Sequence, residues 1–361
     1  MLTTIVFLAV LTVSVVIHEL AHYFNARSVG VPVRAFSVGI GPILYRKQWR
    51  GTEWRISLLP LGGYVDLPGL AAETDEEGNL HHPTEGLATK NLWQKLWVLI
   101  GGVIANALLA VLLLAVVTML EPNYRALTSG ATPQESGTML AVVVEGSHAA
   151  ELGLQDGDVV QEINGIREPN RSQVQQAIRE GDELAITVLR DGETLTFARD
   201  WPPANADDTP VMLGVQLAPL EVERIGFFTA LGESARFIAG VVPATVQGFV
   251  SSIGQAFTGQ RSEEVVGPVG MVGIVGQAAR TGIIPVLFIT AIINVSLAIF
   301  NLMPIPGLDG GRMLIATIIA IRGKPFKPGQ EEFIHFLGFM AIIAFVVLIT
   351  FGEVSELFRG G

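Results

Sequence analysis

From Trp97 to Leu120 the chain carries no charged side chain. A run this long and apolar reaches the roughly 20 residues that a helix needs to cross a hydrocarbon core. Three further runs are similarly long and apolar, the first with one charged residue, Glu19: Leu2 to Phe24, Ile283 to Met303 and Phe333 to Phe351. With 50% of 361 residues apolar and only 16% charged, the fold class expected is a polytopic α-helical membrane protein with four transmembrane helices. The lipid bilayer is then its first partner. A formal net charge of -11 argues against nucleic acid as another. The first run is apolar like a signal peptide but has no basic residues ahead of it, so it is read as a retained span.

Inside that first span stands His18-Glu19-Leu20-Ala21-His22. At 3.6 residues per turn, His18 and His22 fall one turn apart on one helical face. Two neutral imidazoles so placed can hold one Zn2+ per chain, and Glu19 between them can take a proton from water. The plainer reading is a set of polar groups at a membrane boundary. Ionisable groups inside a span cost several kcal/mol, however, and usually mark a functional site. The chain has no cysteine, so it forms no disulfide and any metal site must use His, Asp or Glu.

Residues 1–24 form the first span, and 25–92 a loop with alternating runs at Phe36–Gly41, Trp54–Leu59 and Gly62–Val65. Such runs, separated by Gly and Pro, predict β-hairpins. From Ala71 to Glu85 the loop turns acidic and is expected to be solvated, with His81 and His82 an exposed pair. In the second span, 93–120, Gly101, Gly102, Ala105 and Ala107 allow another helix to come close, and Asn106 can hydrogen-bond across that contact.

Residues 121–220 read as an inserted soluble domain. They give an apolar run Leu140–Val144, a short helix His148–Leu152, a strand Val159–Ile163, a helix Arg171–Arg179, and two strands, Leu184–Arg190 and Thr194–Ala198. Asn164-Gly165 and Asp191-Gly192 are tight-turn signals. Residues 221–281 carry Phe227, Phe228, Leu231, Ala235, Ile238, Val241 and Val242 at helical spacing, interrupted by Glu233 and Arg236. That pattern predicts amphipathic helices on the membrane surface, with a break or kink at Pro243. Gly267–Ala279 receives no assignment.

The third span, 282–311, ends in Asn301-Leu302-Met303-Pro304-Ile305-Pro306-Gly307-Leu308-Asp309-Gly310-Gly311. Two prolines two apart cannot continue a helix, and unwound backbone at membrane depth needs cover from protein or water. Asp309 reads either as a helix N-cap before Arg312 or as a third metal ligand. A loop (312–332), a fourth span (333–352) and a tail (353–361) follow, with His335 read as interfacial.

Topology offers an independent check on the ligand reading. Four spans place 25–92 and 304–332 on one side, with Arg27, Arg34, Lys90, Arg312, Arg322, Lys324 and Lys327 near span ends. The other side has Arg125 and Arg280, with Arg359 in the tail. Basic residues mark the cytoplasmic side, so the inserted domain and both termini face out. His18, His22 and Asp309 then meet at one depth near the cytoplasmic face. They are assigned as three ligands with one open position, the pattern of a catalytic zinc, and Glu19 is the general base.

The run Gly153-Leu154-Gln155-Asp156-Gly157-Asp158-Val159 through Ile163-Asn164-Gly165 resembles a PDZ domain of the bacterial, circularly permuted type. The resemblance implies binding of a peptide or C-terminus at Met212-Leu213-Gly214-Val215, with Gly214 in the loop that receives the carboxylate. Over most of its length the chain resembles the site-2 protease family of intramembrane zinc metalloproteases, of the bacterial regulator of sigma-E protease type. The residues that carry this are His18–His22, Gly39–Pro42, Pro60–Tyr64, Gly101–Asn106 and Asn301–Gly311. It implies single-span membrane proteins as substrates, such as anti-sigma factors or remnant signal peptides, and the bacterial cytoplasmic membrane as the location. It further implies that Asn301, Pro304 and Pro306 hold the substrate, and that a membrane-associated β-hairpin around Gly39 and Gly41 presents it as a strand. That type carries two tandem PDZ domains where one is read here. Competing readings are a metal-ion transporter, which needs no Glu19, and a catalytically silent membrane PDZ scaffold, which needs no convergent ligands.

Overall fold

The computed structural model describes residues 2–70, 73–74, 80–121, 124, 135–180, 183–201, 212–222, 225–258 and 266–359. Residues 71–72 and 75–79 of the acidic stretch between Ala71 and Glu85, and Arg125, lie outside them. The chain divides into two compact units: residues 1–120 with 227–361, and the inserted residues 121–226.

Helix α1 (Leu2–Ser28) opens the first unit. Strands β1 (Ala35–Trp49) and β2 (Thr52–Asp66) form a hairpin through Arg50-Gly51, both at positive φ as a two-residue turn requires. These strands are longer than the alternating runs suggest, because both bend instead of ending at their glycines. Gly39 and Gly41 (φ 84° and 90°) bend β1, and Gly62 (φ 94°) bends β2. The start of β1 therefore pairs twice, Ala35–Val38 lying against Glu53–Ile56 and against Gly63–Asp66. A two-residue ladder, β3 (Glu73–Thr74) with β4 (Leu80–His81), leads to α2 (Leu92–Leu120).

Helix α2 packs on α1 at two adjacent glycines. A Cβ on Gly101 would stand 2.6 Å from Asn25 Nδ2, an amide that donates to the Trp97 carbonyl at 2.8 Å. Tyr23, Ala26, Phe36, Leu67, Leu87 and Val98 form one core joining α1, the hairpin and α2.

The inserted unit comprises β5 (Glu135–Val143), α3 (His148–Leu152), β6 (Val159–Ile163), β7 (Ile166–Arg167), α4 (Arg171–Glu180), β8 (Glu183–Arg190), β9 (Glu193–Asp200) and β10 (Val215–Val222). Its sheet runs β10-β5-β6-β8-β9, with β7 paired to β6. Asn164-Gly165 and Asp191-Gly192 are both at positive φ, the conformation that such turns demand. Leu140, Val160, Ile163, Leu184, Ile186 and Val188 form its core with Val174 of α4.

The chain returns to the first unit in α5 (Phe227–Thr258), which runs unbroken through Pro243. The proline forfeits a backbone bond, but Ile238, Val242 and Val246 on both sides of it pack on Ala110, Val295 and Ile299. Packing of that extent outweighs one lost hydrogen bond. Helix α6 (Pro268–Thr281) fills the glycine-rich stretch that has no assignment from sequence. Its Gly276 lies against Thr3, and Val275 joins Val10 and Ile293 in a second core. Helices α7 (Ile283–Leu302), α8 (Asp309–Arg322) and α9 (Gln330–Arg359) complete the unit. The last continues through most of the expected tail.

Among the described residues, four helices are long and apolar enough to cross a membrane: α1, α2, α7 and α9 as far as Ser355. This is a multi-span membrane protein with an inserted β-sheet domain.

Candidate metal centre

His18 and His22 lie in the last three turns of α1, both buried, with ring centroids 4.7 Å apart. Asp309 is the first residue of α8 and reaches them from the far end of the chain. Its Oδ2 stands 3.0 Å from His18 Nε2 and 3.2 Å from His22 Nε2. The two Nε2 atoms are 3.1 Å apart. The residue before Asp309, Leu308, holds the N-cap position, and no side chain caps this helix. The capping role for Asp309 is therefore not the one observed; its carboxylate turns to the histidines instead.

The local sequence explains how Asp309 gets there. Helix α7 stops at Leu302, Pro304 and Pro306 keep it from continuing, and the chain turns through Pro306 and Gly307 (φ 100°), the Leu308 N–H donating to the Ile305 carbonyl at 3.2 Å. The first turn of α8 then folds tightly onto this segment. A Cβ on Gly310 would meet the Met303 carbonyl oxygen at 2.1 Å, and one on Gly311 the Ile305 oxygen at 2.1 Å. Only Asp-Gly-Gly, with its two missing side chains, fits there.

The residues present fit a cation. His22 Nδ1 lies 2.8 Å from the Val98 carbonyl oxygen, which can only accept, so Nδ1 carries the proton and Nε2 turns a lone pair toward Asp309. Asp309 Oδ2 is a buried oxygen without a hydrogen-bond partner of its own. An orphaned carboxylate oxygen facing ring nitrogens is a costly arrangement unless a positive ion sits among them. The mutual spacings approach the ~3.4 Å expected between ligand atoms of a tetrahedral zinc. His18, His22 and Asp309 are the metal-capable cluster found among the described residues.

Glu19 is half-buried beside them, near enough to interact electrostatically with both histidines and Asp309, and it accepts a hydrogen bond from the backbone of Val65 in β2. The hairpin thus touches Glu19 directly. Helix α1 also holds the hairpin by Thr12 Oγ1, which donates to the Pro60 carbonyl at 2.6 Å.

The remaining expected site residues are dispersed. Asn301 lies in the last turn of α7 and its amide donates to the Leu297 carbonyl at 3.0 Å. Pro304 is exposed and Pro306 half-buried in the segment leading to Asp309. Gly39 is buried at the bend of β1, and Gly41 is exposed. Gly214 belongs to the inserted unit, at φ 80° and packed on Ser147, where a Cβ would approach Ser147 Cβ to 2.2 Å. His81 and His82 are exposed. His335 is no mere interfacial group: its Nδ1 accepts the Gly307 N–H. Sequence reasoning also misses the Val98 carbonyl, since a backbone acceptor leaves no trace in residue identity.

A family model described as peptidase family M50 matches residues 6–345. The chain is 32% identical to the protein Atu1380 of Agrobacterium fabrum, covering 97% of this chain and 95% of that relative. It is 27% identical to the zinc metalloprotease RasP of Bacillus licheniformis, with 99% of each chain covered. It is 26% identical to the regulator of sigma-W protease RasP of Bacillus subtilis, again over 99% of each.

Proposed function

This chain belongs to peptidase family M50, and on that premise we propose that His18, His22 and Asp309 hold a zinc ion and that Glu19 is the general base of peptide hydrolysis. The protein is a zinc metalloendopeptidase of the bacterial inner membrane. The single observation that carries the residue assignment is the convergence of His18 Nε2, His22 Nε2 and Asp309 Oδ2, with no other partner for the carboxylate oxygen.

Zinc at this site supplies Lewis-acid polarisation and makes water more acidic. Glu19 takes the proton from the attacking water and delivers it to the leaving amide nitrogen, with its carboxylate aimed by the Val65 backbone. The Val98 carbonyl keeps the His22 ring from turning away. The substrate is read as a membrane-spanning segment of a single-span protein, because His18 and His22 belong to a helix of membrane-crossing length and Asp309 follows another, α7. Such a segment must unwind before attack, since a helix keeps its carbonyls in its own hydrogen bonds. The bent hairpin around Gly39 and Gly41 offers strand edges for that extended form, and Asn301, Pro304 and Pro306 flank the approach to Asp309.

The inserted domain is read as PDZ-like and outward-facing. Supporting this is the place of β10, an edge strand preceded by Gly214 at positive φ, where an added strand and its carboxylate could be received. The distribution of Lys and Arg supports a cytoplasmic-side zinc site.

The reading is tested with a single-span reporter protein and the full chain in detergent or liposomes. Glu19→Gln is expected to abolish cleavage while one zinc per chain is retained. Undiminished cleavage would overturn the assignment of the base.

A further inference from the structure

One face of α2 lies directly behind the two histidines. Val98, Gly102 and Asn106 are four residues apart in succession, so they stack along a single stripe of that helix. Val98 fixes His22 by accepting its Nδ1–H. Gly102 is the seat for the other ring: a Cβ there would stand 2.4 to 2.6 Å from three ring atoms of His18. The imidazole therefore lies flat on bare backbone, in a position any side chain would fill. Asn106 completes the stripe. It is fully buried, its Nδ2 is 3.3 Å from His18 Nδ1, and its Oδ1 is a buried oxygen without a partner.

Those last three facts conflict if the amide is taken as it stands. Nδ2 donating to Nδ1 would force the His18 proton onto Nε2, where it would point into the cluster, and it would leave Oδ1 buried and unsatisfied. The oxygen and nitrogen of an asparagine amide are nearly the same size, and the hydrogen-bond network decides between them. Turning the amide over resolves both problems at once. Oδ1 then accepts from Nδ1–H, and Nε2 shows its lone pair to Asp309 and His22.

We propose that Asn106 is a positioning residue for the metal centre, its amide oxygen fixing His18 in the Nδ1–H tautomer with Nε2 free to ligate. The proposal rests on the reading of His18 as a ligand. With it, α2 becomes an outer shell that supplies a hydrogen-bond acceptor to each histidine, a backbone carbonyl for one and a side-chain amide for the other. Partners of this kind orient a metal-bound imidazole and raise its basicity, and their loss typically weakens metal affinity 10–100-fold.

The test is zinc affinity of the purified full chain, measured by competition with a chromophoric chelator, with the visible spectrum of the cobalt-substituted protein as a second readout. Asn106→Leu keeps the volume and removes the acceptor, and Asn106→Ala removes it without adding bulk. Asn106→Asp restores an acceptor oxygen. Both acceptor-free variants are expected to bind zinc about 10–100-fold more weakly and to shift the cobalt spectrum, while Asp recovers affinity and the metal-free melting temperature holds. Wild-type affinity and spectrum in Leu and Ala would overturn the proposal, as would a fall in metal-free stability alone. His18→Ala separates the two levels. If it loses zinc while the Asn106 variants do not, only the positioning role fails; if it keeps zinc, the ligand reading fails and the positioning role with it.

Discussion

His335 Nδ1 accepts the backbone N–H of Gly307 at 2.9 Å. The bond ties α9 to the segment that delivers Asp309, and a close backbone contact reinforces it: a Cβ on Gly338 would come within 2.0 Å of the Pro306 oxygen. The last helix therefore grips the turn from which Asp309 is launched, although it contributes no residue to the cluster itself.

Removing that grip should be felt at the metal. His335→Ala leaves the half-buried Gly307 N–H without its acceptor, a loss of about 1–2 kcal/mol. We expect cleavage and zinc retention to fall together by roughly tenfold, which corresponds to ~1.4 kcal/mol. Helical content measured by circular dichroism should stay the same. Unchanged zinc retention would show that Asp309 is placed by its own glycines alone.

The inserted domain should have its own acid limit. Burial by itself would raise the carboxyl of fully buried Asp158, but the Arg190 guanidinium, bonded at 2.7 Å to both oxygens, and the Gln155 amide outweigh it and hold the group below its usual value. A depressed folded-state value stabilises the fold above the unfolded carboxyl value of about 3.9, and that contribution disappears as pH falls through the folded value. Protection factors against hydrogen exchange in β6 and β8, corrected for the intrinsic rate at each pH, should fall below pH ~4 in the wild type. In Asp158→Asn the same amides should already be less protected at neutral pH, by about 3 kcal/mol, and should lose the pH response.

A third prediction concerns Glu353, whose carboxylate accepts from the amides of Gly267 (2.8 Å), Val269 (3.1 Å) and Gly270 (3.1 Å). Pro268 has no N–H to offer, so one side chain satisfies all three donors in the four positions from Gly267 to Gly270 at the start of α6. Glu353→Ala should destabilise the membrane unit by roughly 1–3 kcal/mol, the cost of charge-assisted bonds at a helix N-terminus. Glu353→Gln should lie between. Thermal denaturation in detergent, with exchange rates at Val269 and Gly270, measures this; equal melting of all three proteins would remove Glu353 from the list of structural anchors.

Much of the centre could be read from the sequence because its signals are local. His18 and His22 are four apart on a helix, and Asp309 follows a proline pair that no helix tolerates. The inserted sheet was equally legible, since Asn164-Gly165 and Asp191-Gly192 dictate their own turns. What could not be read depends on tertiary contacts. Pro243 carries a strong local signal to break, overruled by apolar packing on α2 and α7 that only the folded unit supplies. The hairpin strands look short because Gly39, Gly41 and Gly62 punctuate them, yet these glycines bend the strands without ending them. His335 lies among apolar residues with nothing nearby in sequence to indicate Gly307 as its partner. Gly102 is recognisable as a small residue in a span, but that its neighbour is an imidazole emerges only from α1 and α2 in register.

The division of the membrane unit around its insertion also bears on how the protein is made. Synthesis delivers His18, Glu19 and His22 first, then α2, then the whole inserted domain, and Asp309 only after α7 has left the ribosome. Until α8 emerges, the nascent chain holds the histidine pair and Glu19 but not Asp309, the third member of the cluster found among the described residues. On the reading of Asp309 as a ligand, a membrane peptidase with this chain order stays inert among other newly made spans until α8 has been made.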